Sequence, residues 1–180
     1  MTAAESVQQI EVKVQTLHQL FNSMDPSPFH ERDLDHEAEQ FILSWAQEYS
    51  VHKPLKLVVH LGQKPETPDS IQLLTTSIHN FFAYRESLNE REFRLLMREG
   101  WTSLLIGLAF LAVCVTVSQT LAVHLERWQP VIQEGLTIIG WVAMWGPLDI
   151  YLYRWWPIRH LGKVYHKLSE MPVEIRVPIA

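Results

Sequence analysis

From Trp101 to Val123 the chain reads "WTSLLIGLAFLAVCVTVSQTLAV", 23 residues without a charge. At about 1.5 Å of helical rise per residue, such a stretch covers the roughly 30 Å hydrocarbon core of a bilayer. Backbone amides inside lipid must be satisfied within their own segment, and for a lone run this leaves a helix. A second apolar run, 131–153, carries Glu134 near its start and Pro147 and Asp149 near its end. Its "LTIIGWVAMWGPL" followed by "IYLYRWW" is too apolar for a surface element and ends in an interfacial aromatic belt. The expected unit is a transmembrane hairpin over 100–156, with spans at about 101–123 and 131–153.

Charge divides the chain at the same place. Residues 1–98 hold nine Lys/Arg and fourteen Asp/Glu, net −5, whereas residues 99–180 hold six of each. The opening "MTAAESVQQIEVKVQ" lacks the apolar centre of a secretory signal, so the amino terminus is expected in the cytosol. Arg85, Arg91, Arg94 and Arg98 precede the first span, and Arg154, Arg159, Lys163 and Lys167 follow the second. The connecting "HLERWQP" has only Arg127. Basic flanks stay on the cytosolic side, so both termini are expected there.

The polar half alternates strand and helix signals. In "IEVKVQTL", Ile10, Val12 and Val14 alternate with Glu11, Lys13 and Gln15, the period of a strand with one buried face. "NSMDPSPF" breaks the pattern as a loop, and Asp33 or Asp35 can cap the helix that follows. Ala38, Phe41, Ile42, Trp45 and Tyr49 share one face of that helix. "LKLVVHL" is a second, largely buried strand, and the turn "GQKPETPDS" leads to a long helix. No Gly or Pro falls between Ser70 and Glu99, so this helix is expected to continue through Gly100 into the first span.

Two strands make a poor sheet. "VEIRV" at 173–177 repeats the pattern of "IEVKV" at 10–14, which marks the tail as a candidate third strand in its own subunit or a neighbour's. Ile158, Leu161, Tyr165 and Leu168 share a helical face with Arg159, Lys163 and Lys167 elsewhere, the pattern of a helix on an anionic membrane surface. The expected fold is an α+β membrane protein. It has a cytosolic β-α-β-α domain over 1–99, the hairpin, and a cytosolic amphipathic helix with a tail over 157–180.

The stretches "LFNSMDPSPFHERDLDHEAEQFILSWAQE", "PLKLVVHL", "REFRLLMREGWTSLLIGLAFLAVC" and "GWVAMWGPLDIYLYRWWPI" resemble an uncharacterised family of small bacterial inner-membrane proteins with two spans and an amino-terminal cytosolic domain. The resemblance implies location and architecture and carries over no activity or binding residue. Two-span subunits of the mitochondrial calcium uniporter also place an acidic motif after a tryptophan, but the residues around Asp149 do not match it.

Catalytic signatures are absent from the pattern, so no enzyme activity, cofactor or metal is expected. Asp33, Asp35, Glu37 and Glu39 lack the glycine and spacing of a calcium loop and fit a solvated helix start. The nine histidines are scattered without ligand spacing, and Cys114 stands alone in an apolar run as a packing residue. No phosphate-binding glycine loop or basic nucleic-acid stripe occurs.

What remains is ionisable and aromatic residues at the membrane. Asp149, Glu134 and Arg154 are candidates for a pore or an ion pair, because ionisable groups in a span are costly. Asp149 has Arg154 and Arg98 as candidate partners. Trp101, Trp141, Trp145, Trp155 and Trp156 are candidate interface anchors, and Arg159, Lys163 and Lys167 candidate lipid-surface cations. Two functions follow. One is a homo-oligomeric inner-membrane assembly, a cation channel or small-solute pathway with a cytosolic vestibule. The alternative is a non-transporting anchor or regulatory subunit for a membrane-protein partner.

Overall fold

The computed structural model describes residues 7–26, 28, 32–51, 53–63, 69–124 and 129–177. The connecting loop with Arg127 and the turn at 64–68 lie outside the described residues. Two compact units divide the chain: 1–89 together with 160–180, and 90–159.

The first unit is built on three parallel strands, β1 (Gln8–Val14), β2 (Leu55–Leu61) and β3 (Val173–Arg176), in the order β1-β2-β3. Alternation explains the layering. Ile10 pairs with Leu57, Val12 with Val59, and Val59 with Ile175, so one face is apolar throughout. The same register puts Glu11, Val58 and Glu174 in one row of the other face, and Lys13, His60 and Arg176 in the next. The tail is thus a strand of its own chain, and the whole stretch between β2 and β3 is an insertion within one sheet.

Helix α1 (His36–Glu48) crosses from β1 to β2 and begins at Asp35, whose carboxylate accepts the Glu37 N–H at 3.0 Å. Before it, Asn22 N–H bonds to Asp33 O and Asp35 N–H to Leu20 O, closing the proline loop on itself and burying Leu20, Phe21 and Leu34. The buried face of α1 differs from the expected stripe. Glu39, Ile42 and Ala46 are buried, whereas Phe41 and Trp45 are exposed, their rings tilted against each other with centroids 6.2 Å apart and Tyr49 next along at 6.5 Å from Trp45. Glu39 is not the solvated residue expected. It is ion-paired to Arg85, whose guanidinium also lies 5.8 Å from the Phe81 ring centroid.

Helix α2 (Asp69–His124) continues unbroken through Gly100, as expected. Its Leu74, Ile78, Phe81 and Phe82 join the sheet core. After α3 (Gln129–Ala143) and α4 (Trp145–Asp149), a π-helical turn (Ile150–Arg154) leads into α5 (Trp155–Glu170). The apolar face of α5 does not await a lipid surface: Val164, Tyr165 and Leu168 are buried in the sheet core, with Leu161 packed against them. An amphipathic stripe needs an apolar neighbour of some kind, and here protein supplies it.

Candidate functional site

In the second unit the helices meet through small residues. A β-carbon placed on Gly140 would stand 2.6 Å from Leu111 Cδ1, one on Gly107 3.1 Å from the Ala143 carbonyl oxygen, and one on Gly100 2.9 Å from Ile150 Cγ2. Cys114 and Ser118 are buried along the same side of α2. Small residues let helix backbones approach closely, which is how apolar helices gain contact where hydrophobic burial offers nothing. Cys114 is accordingly a packing residue.

The Gly107 contact has a local cause. Pro147 has no N–H to give the Ala143 carbonyl four residues back, and the helix is interrupted between α3 and α4 at Met144. Met144 N–H bonds three residues back to Trp141 O, at 3.0 Å. The π turn then shifts the helical phase, and the Tyr151 carbonyl accepts the Trp155 indole N–H at 2.7 Å.

These contacts put the start of α2's apolar run level with Ile150, so Asp149 stands near one end of the hairpin. Asp149 and Glu134 are both exposed and are not brought together. Arg154 does not pair with Asp149. Its Nη1 lies 3.9 Å from Glu99 Oε1, a partner that spacing did not suggest because Glu99 is on the other helix. Arg159 sits 5.8 Å from the Trp155 ring centroid, and Trp155 packs on Trp156 at 5.2 Å.

The remaining tryptophans, Trp101, Trp141, Trp145 and Trp156, are all exposed, with Trp145 at 76 %. Lys163 is exposed. Lys167 departs from the lipid-surface expectation: its ammonium donates to the Ser50 carbonyl at 3.1 Å, and burial lowers its pKa.

Polar groups along the apolar runs turn inward on their own helices. Thr102 donates to Arg98 O, Thr116 to Ala112 O, Thr120 to Val117 O and Thr137 to Gln133 O. No group of His, Cys, Asp or Glu among the described residues could hold a metal ion. Comparison of the chain with family models, with curated proteins and with solved structures finds no match.

Proposed function

We propose that the protein is an integral membrane protein whose hairpin anchors the sheet unit at the cytosolic face of a bacterial inner membrane and holds it for a partner protein. One observation carries this reading. The chain has two helices long and apolar enough to cross a membrane, yet only 17 % of each apolar window is buried. Ile106, Val142 and Ile138 are exposed at 65 %, 65 % and 60 %, a surface that water penalises and lipid does not. The self-satisfied threonines suit the same medium, since a hydroxyl in hydrocarbon needs a partner.

Both ends of the hairpin segment lead into one compact unit, which supports a topology with both termini on one side. The basic flanks favour the cytosolic side, and the family resemblance favours the bacterial inner membrane. The exposed tryptophans of the second helix offer a partner its packing surface. To test the topology, Glu126→Cys is made in a Cys114→Ser background. An impermeant thiol reagent should label intact spheroplasts, and reporters at both termini should read as cytosolic. Labelling only after lysis refutes the hairpin.

A second reading, a homo-oligomer around a cation path, is favoured by Asp149, which is exposed and has no ion-pair partner among the described residues, while Arg154 is engaged by Glu99. Carboxylate rings of this kind select cations. The anchor reading expects Asp149→Asn to leave oligomer size and liposome cation flux unchanged. Intact oligomers with altered flux would favour the pore.

A further inference from the structure

Parallel strands end together, so residues near their carboxyl ends stand side by side at one edge of the sheet. Here those ends border a cavity of about 560 Å³ lined by Glu11, Lys13, His60, Gly62 and Arg176 with apolar neighbours. Three of these residues are cationic or can become so, and they are in register across the sheet: Lys13 beside His60, His60 beside Arg176. Like charges directly opposite one another on a sheet face are destabilising unless something of opposite sign stands over them. Within the chain the compensation is partial. Arg176 gives its Nε to Glu174, at 2.8 Å. No ion pair engages Lys13 among the described residues. His60 Nε2 is shut off from solvent and makes no hydrogen bond, although Glu11 Oε2 lies 3.3 Å away.

We propose that this cavity is a binding site for a phosphate group, with Lys13 supplying a point charge and the remaining Arg176 nitrogens a donor fork. Glu11, on the same rim, accepts a hydroxyl or amino hydrogen from the body that bears the phosphate. The phosphate belongs to either a soluble phosphomonoester or a lipid headgroup, since both present anionic non-bridging oxygens to these two cations.

The test uses the full chain in neutral detergent micelles, titrated calorimetrically with inorganic phosphate. Wild type should bind near about 1 mM, and Lys13→Gln and Arg176→Gln should each weaken binding roughly tenfold. Lys163→Gln, outside the cavity, should leave it unchanged. Lys13 is exposed and has no ion pair among the described residues, so Lys13→Gln tests the site without disturbing the sheet. Binding that is absent in wild type, or equal in Lys13→Gln, overturns the proposal. Doping the micelles with phosphatidylglycerol then separates the sources: displacement of phosphate identifies a lipid headgroup, and undiminished phosphate binding identifies a soluble phosphomonoester.

Discussion

Branched aliphatic residues occupy opposite places in the two units. In the sheet unit Leu57, Val59 and Leu74 are fully shut from solvent, while Glu11 and Lys13 face out. In the hairpin unit Ile106 and Val142 face out, and the inner seam belongs to Gly100, Gly107, Gly140 and Ser118. The first arrangement gains free energy by removing apolar area from water; on the membrane reading proposed above, the second gains it by bringing backbones close where exposed apolar area costs nothing. Exposed Ile106 and Val142 therefore add no core of the kind that Leu57 and Val59 make, although Leu96 and Ile150 are buried in the hairpin unit.

The sharpest way to break this contrast is a pair of truncations. Leu57→Ala should destabilise the sheet unit by about 2–5 kcal/mol, because it leaves a cavity in a close-packed core. Ile106→Ala, of similar size change, should cost no more than about 0.5 kcal/mol in mild detergent. Denaturant unfolding of the full chain, followed by fluorescence and by amide exchange in each unit, measures both. Equal losses would mean that the hairpin is held as a water-soluble core is.

Next in size is the seam. Gly107→Leu should cost about 1–3 kcal/mol of hairpin stability, since a β-carbon there stands 3.1 Å from the Ala143 carbonyl oxygen and the larger side chain forces that backbone to shift. Gly146→Leu is its control: nothing lies within 4 Å of a β-carbon there. Unfolding in increasing dodecyl sulfate separates the two, and a tolerated Gly107→Leu would remove close backbone approach from the account.

How far these features could be read in advance depends on what sets them. Strands with one buried face advertise it by alternation, so Ile10–Val14, Leu55–Leu61 and the "VEIRV" echo were visible, as was the continuous helix through Gly100. The face of α1 was not, because apolarity alone placed Phe41 and Trp45 inward. Tertiary contacts decide otherwise, with Arg85 giving Glu39 a partner and the aromatic rings tilted against one another outside. The role of α5 was equally hidden, since Leu161, Tyr165 and Leu168 make the same stripe for a lipid surface or a protein core. At the candidate site, the Glu99–Arg154 pairing was not legible, because the two residues lie on different helices and spacing along one helix does not report which neighbour faces it.

The smallest expected effect concerns pH, and it again separates the units. Glu174 on β3 accepts from Lys56 and from Arg176, and these two hydrogen bonds hold its carboxyl down at about 2 from an ordinary 4.5. A folded-state pKa below the unfolded one contributes stability that is present above pH 4.5 and is lost as pH falls through about 2. The loss should be slight, because exposed ion pairs are screened by water and salt. It should be local as well, since β3 has four residues and a single neighbour, β2. Amide exchange at Ile175 should therefore quicken over this window while Val59 stays protected, and Glu174→Gln should abolish the pH dependence. The hairpin seam consists of glycine contacts to Leu111, Ala143 and Ile150, none of which titrates, so exchange at Leu111 should not change. A parallel loss at Leu111 would show that the hairpin, too, is held by charge.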